Sequence, residues 1–235
     1  MLNIFKMYCY KMFRQKSLYV ALIITLFFVF LSIQMTEGGF VENSVEMGAF
    51  YILLTAIFPT IFFSADISSG FIKNYAGMVS HKGIVIVARA AMTFVQNLLT
   101  LAVVFASLYA VAIFSGTGIG NISFVLKYYV CVFLSGLACS FMGIMVSELL
   151  RKTVAAVILI ISIGTGLISQ ILSLISLLIT NNKFNIGRFT VTGTFTPLNL
   201  DSAPVDFSAA VIVAVCYIAV SFIVALISIE KRDIV

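Results

Sequence analysis

Six runs of this sequence, at residues 18–35, 47–64, 84–114, 124–146, 154–180 and 208–229, stay almost wholly apolar, and none carries a charge near its centre. A helix crosses the hydrocarbon core of a bilayer with about 20 such residues. In that core no water pairs with backbone N–H and C=O groups, so each run is expected to be a helix that satisfies its own backbone. The predicted fold is therefore all-α: one unit of six transmembrane helices over residues 1–235. The runs at 84–114 and 154–180 exceed the required length and are expected to tilt, to extend beyond the core or to include an irregular part.

Composition excludes the soluble alternative. Of 235 residues, 62% are apolar and 10% charged, against about 45–50% and about 25% in soluble domains. By length alone two soluble domains would fit, but no polar stretch is long enough to be one. Cys9, Cys131, Cys139 and Cys216 show no paired spacing and read as small apolar residues. The single histidine, His81, rules out a multi-histidine metal centre.

Lysine and arginine placement orients the chain. With both termini cytoplasmic, 11 of the 14 basic residues fall inside, and Lys127, Lys183 and Arg188 fall outside. The first outside loop, "TEGGFVENSVE", contains three glutamates and no basic residue. Residues 1–17 read as a basic interfacial helix rather than a frayed basic end. At helical spacing Leu2, Phe5, Tyr8, Cys9, Met12 and Phe13 share one face, while Asn3, Lys6, Lys11 and Arg14 share the other, with Lys16 following. No signal peptide is expected, because the apolar run from Leu18 is too long and no small-residue cleavage site follows it. The outside segment 181–207, with its alternating "RFTVTGTFT", is expected to be a short strand or a loop dipping into the outer leaflet.

Several chemistries are missing from the sequence. There is no GxxxxGK[ST], so the chain does not cradle nucleotide phosphates. "GTGIG" at 116–120 has no strand before it, and there is no HExxH. Asp66, Arg89, Lys127 and Glu148 all stand near predicted span ends, which leaves no buried charge to couple an ion gradient to transport. Uphill transport by this chain would need an external motor. No catalytic activity, cofactor or metal is expected in the chain itself.

Two spans carry small-residue stripes. In the fifth, Ser162, Thr165, Gly166, Ser169, Ser173, Ser176 and Thr180 share a face. That face suits packing within one chain, a seam with a second permease, or the lining of a path. In the fourth, Gly136, Ser140, Gly143 and Ser147 form a shorter version, read as ordinary helix packing. Pro59, inside the second span, is expected to kink it.

Between the second and third spans stands "ADISSGFIKNYAGMVSHKGIVIVARA". Read as a helix over 66–83, it puts Ile67, Phe71, Tyr75, Met78 and Val79 on one apolar stripe. Such a cytoplasmic helix suits the membrane surface or a groove in a soluble partner. The pattern of Asp66, Gly70, Lys73, Asn74, Ser80 with His81, and Arg89 resembles the first cytoplasmic loop of permease subunits of bacterial ABC transporters, type-2 exporter family. Met78 and Val79 stand where that family has a proline, and His81 where it more often has arginine. The interfacial N-terminal helix, six spans, inside termini and closing "IEKRDI" resemble the same family.

The resemblance implies a role for each part. The loop would be a coupling helix docking a separate cytoplasmic ATPase through Asp66, Gly70, Phe71, Lys73, Asn74, Tyr75, Met78, His81 and Arg89. Two ATPase copies, which bind ATP and Mg, would pair with two permeases, identical or homologous, and the interfacial helix would flank the ATPase. The segment 181–207 would form re-entrant helices. The setting would be the bacterial cytoplasmic membrane, with lipid as the surrounding partner and no nucleic acid. The expected cargo is amphipathic or hydrophobic, a peptide such as a bacteriocin, a lantibiotic or a cytolytic modulin, with lipid-linked saccharide, drug or sodium export left open. The alternative expectation is a membrane scaffold or immunity protein that acts by binding.

Overall fold

A computed structural model describes residues 2–35, 40–69, 82–116, 122–180, 185–195 and 207–231. The described residues are all helical, with no strand among them. In chain order the helices are α1 (Leu2–Arg14), α2 (Lys16–Met35), α3 (Phe40–Ser68), α4 (Gly83–Ser115), α5 (Ile122–Leu150), α6 (Thr153–Gly164), α7 (Leu167–Thr180), α8 (Val191–Phe195) and α9 (Phe207–Glu230), with a 3-10 turn at Ile186–Phe189 before α8.

Four helices are individually long and apolar enough to cross a membrane: those containing Asn43–Ser68, Gly83–Phe114, Ser123–Leu150 and Phe207–Glu230. Two further crossings arise only if bent pairs are each counted as one span. The first pair is α1 with α2, bent by 58°, and the second is α6 with α7, bent by 60°. The over-long run at 154–180 thus contains an irregular part, one of the outcomes expected from its length: two helices meet there at a bend. The cause is local: α6 ends at Gly164 with Thr165 as its cap, and Gly166 takes a left-handed φ of 77° before α7 begins. Glycine adopts that backbone without a Cβ clash. The possible strand at 186–195 is corrected, because those residues form a 3-10 turn and a short helix.

α3 and α5 form the centre. In their most apolar windows 67% and 72% of residues are buried, against 28% and 22% for α4 and α9. The outer faces remain apolar: Ile23, Phe27 and Phe30 on α2, Leu174 and Leu178 on α7, and Ile212 and Val220 on α9 are all exposed. So much exposed apolar surface is stable in lipid and not in water. This is a multi-pass membrane protein.

The α3–α5 contact explains the fourth-span stripe. A Cβ on Gly143 would lie 2.3 Å from Thr60 Oγ1, and one on Gly136 2.6 Å from Tyr51 Cε1. Glycine at 143 lets α5 approach the α3 backbone at Ala56 O, and glycine at 136 makes room for the Tyr51 ring. Pro59 sits within α3, which continues unbroken to Ser68. Without an N–H it leaves Thr55 O without its helical donor, and Ser140 Oγ of α5 donates to that oxygen at 2.7 Å.

Candidate functional site

The basic end of the bundle gathers α1, the last turn of α3, the first turns of α4 and the ends of α5 and α9. Tyr8, Met12, Leu18, Phe62, Phe63, Val85, Ile86 and Ile229 pack there as one apolar cluster. Set into it are four charges. Lys11 of α1 donates to Asp66 Oδ1 of α3. Arg89 of α4 donates through Nη1 to Glu148 Oε1 of α5. Asp66, Arg89 and Glu148 are buried. A carboxylate or guanidinium in so apolar a place is tolerable only as part of a pair, and removing one member of a buried pair costs about 3–5 kcal/mol.

Tyr8 completes the cluster. Its hydroxyl oxygen accepts from Arg89 Nε at 3.2 Å. The guanidinium lies 5.0 Å from the centre of the Phe63 ring and 6.0 Å from that of Tyr8, within cation–π range. Lys11 Nζ lies 5.2 Å from the centre of the Phe62 ring. The aromatic residues thus shield charges that the ion pairs neutralise. Among the described residues, Asp66 Oδ2 and Arg89 Nη2 have no hydrogen-bond partner.

A second polar layer lies deeper, between α3, α4 and α5. Tyr51 OH donates to Asn97 O at 3.1 Å. Asn97 Nδ2 donates to Ser140 Oγ at 3.0 Å, and Ser140 returns to α3 through Thr55 O. Toward the basic end, Ser64 Oγ donates to Ser147 Oγ at 3.0 Å. These bonds join three helices through neutral groups, which cost far less to bury than charges.

The serine face of the fifth run divides at the bend. Ser162 and Thr165, on the α6 side, donate to Ile158 O and Ile161 O within their own helix. On α7, Ser169 is buried and donates to Gly187 O at 3.2 Å. A Cβ on Gly187 would fall 1.9 Å from Ser173 Oγ and 2.5 Å from Ser169 O. The turn at 186–189 therefore presses glycine-first against Ser169 and Ser173, so the chain's own segment fills this part of the stripe. Ser176 is buried and bonds to Ser173 O. Gly166 forms the bend itself, and Thr180 is the last residue of α7.

The expected docking residues fall in two places. Asp66 and Arg89 are interior, in the ion-pair cluster. α3 runs past Asp66 to Ser68, so Asp66 belongs to the span's last turn and not to a separate helix. Gly70, Phe71, Lys73, Asn74, Tyr75, Met78 and His81 lie outside the described residues. Of the interfacial-helix cations, Lys6, Arg14 and Lys16 are exposed, but Lys11 turns inward to Asp66. Sequence reasoning did not single out Tyr8, Glu148, Asn97 or Ser140 as site residues. A signal existed for two of them: Glu148 is the lone acid between residues 122 and 150, and Gln96–Asn97 is the one Gln–Asn pair within an apolar run. Among the described residues no cluster of three or more His, Cys, Asp or Glu is placed to hold a metal. No protein-family model matches the chain, and no curated protein matches it.

Proposed function

We propose that this chain is the permease subunit of an ATP-driven ABC exporter in a bacterial cytoplasmic membrane. Its loop at 70–81 docks a separate ATPase that binds ATP and Mg. Two ATPases and a second permease, identical or homologous, complete the transporter, which moves an amphipathic or hydrophobic cargo such as a peptide.

The observation that carries the reading is how the loop is rooted. It follows the last turn of α3, which holds Asp66, and precedes α4, which begins at Gly83 and holds Arg89 in its second turn. Those two side chains hold α1 and α5 through Lys11, Tyr8 and Glu148. A displacement of the loop therefore pulls on α1, α3, α4 and α5 together, because a packed interior transmits strain instead of absorbing it. The resemblance of the loop sequence to coupling helices, the basic bias of that end and the absence of any phosphate-binding motif in the chain also support it.

Co-purification tests it. The detergent-solubilised chain, expressed with the ATPase of a neighbouring reading frame, is expected to retain that ATPase. The F71D/Y75D variant should lose both retention and transport while keeping its helical content. A chain that never retains an ATPase, with transport indifferent to F71D/Y75D, sinks the proposal and leaves a scaffold or immunity role.

A further inference from the structure

The geometry points to α1 being a releasable latch, whose departure lets Asp66 exchange Lys11 for Arg89. One helix supplies both caps of a complementary pair. Lys11 occupies Oδ1 of Asp66, and the Tyr8 hydroxyl occupies Nε of Arg89. What each leaves over matches the other: Asp66 Oδ2 is an acceptor, and Arg89 Nη2 a donor, both buried and without a partner among the described residues.

The guanidinium fork makes the exchange specific. Nε and Nη2 lie along one edge of the planar group, while Nη1, which holds Glu148, points to the other side. When α1 lifts, Tyr8 vacates Nε, so the whole Nε–Nη2 edge becomes free. That edge is a two-donor fork fitted to the two oxygens of a carboxylate. The same movement frees Asp66. Arg89 keeps Glu148 throughout, so each carboxylate has a cationic partner at both stages, although with Lys11 gone the two carboxylates share one guanidinium and the site holds one net negative charge. A buried aspartate with Lys11 as its sole possible cation would instead lock α1 in place, because a stranded buried charge is strongly destabilising.

The attachment of α1 suits such a movement. The helix joins the bundle through Tyr8 and Met12, with Ile4 and Met7 partly buried beside them and Lys11 on Asp66, while Tyr10, Phe13, Arg14 and Lys6 face outward. It is bent by 58° from α2, so it is not a rigid continuation of that helix. The latch does not depend on the exporter reading and is tested without transport.

The native Cys9, half-buried on α1, reports whether the helix is seated. In the full-length chain in mixed micelles, Lys11→Gln should raise the maleimide alkylation rate of Cys9 about tenfold, since a charged hydrogen bond shifts an equilibrium by roughly that factor or more. The decisive readout is the sign of a second substitution. If Arg89 has taken up Asp66, adding Asp66→Asn to the Lys11→Gln chain lowers the melting temperature further. If Asp66 is merely stranded, Asp66→Asn raises it, and the latch is overturned. An unchanged Cys9 rate in Lys11→Gln overturns it equally. Should Lys11→Gln fail to fold, Tyr8→Phe decides by the same readout, because it keeps the ring and frees only Nε. Faster alkylation there supports the latch, and an unchanged rate refutes it.

Discussion

Replacing Ser140 by alanine should cost this protein more than a serine in a membrane helix usually costs, and Pro59 is the reason. Proline at 59 gives α3 no N–H to place on Thr55 O. Ser140 Oγ stands 2.7 Å from that oxygen and also 2.7 Å from Gly136 O in its own helix. A hydroxyl has one proton. Gly136 O already receives a backbone N–H within α5, so Thr55 O is the acceptor in need. Thr55 is fully buried, and no water replaces the lost donor. An unpaired buried carbonyl costs about 1–3 kcal/mol, and measured hydrogen bonds between membrane helices reach about 1.7 kcal/mol. Ser140→Ala is therefore expected to destabilise by about 1–2 kcal/mol. In a Pro59→Ala background residue 59 regains its N–H and serves Thr55 O itself. The same Ser140→Ala change should then cost at most half as much, the remainder being the acceptor lost by Asn97 Nδ2. Reversible unfolding of the four chains by SDS titration in mixed micelles measures this coupling. Equal losses in both backgrounds would refute the assignment of Ser140 as the donor that replaces the proline's missing N–H.

Gly143→Ala should separate α3 from α5, because its Cβ would come within 2.3 Å of Thr60 Oγ1 and 3.2 Å of Ala56 O. A loss of about 1–3 kcal/mol is expected from overpacking, read by the same titration, and a neutral result would mean that the two backbones are not in close contact. Gly187→Ala should act elsewhere. Its Cβ would meet the Ser169 carbonyl, so the 185–195 segment should be dislodged and cleave faster under limited proteolysis, while the unfolding midpoint of the bundle moves little.

The membrane class, the helical fold and the basic end were legible in the sequence because each follows from local composition. Twenty apolar residues in lipid have few options other than helix, and the basic residues flanking the runs predict a common end from their placement alone. The glycines and serines of the fourth run also announced close packing through their spacing alone. The length of the fifth run allowed for an irregular part, but its place at Gly166 was not legible. Thr165–Gly166 looks like two more small residues on a stripe, and only the left-handed φ adopted there turns the chain by 60°. Nor was the partnership of the charges. Asp66, Arg89 and Glu148 each stood near a span end in the sequence, and Lys11 stood on the polar face of α1. Which of them meet depends on how four helices are arranged around Tyr8, Phe62 and Phe63, a property of the whole bundle. The same holds for Ser140 and Thr55, 85 residues apart in the chain. The sequence determined that an unpaired carbonyl would exist below Pro59. The tertiary structure decided which side chain answers it, because a hydrogen bond across helices depends on their mutual position and no local preference encodes that.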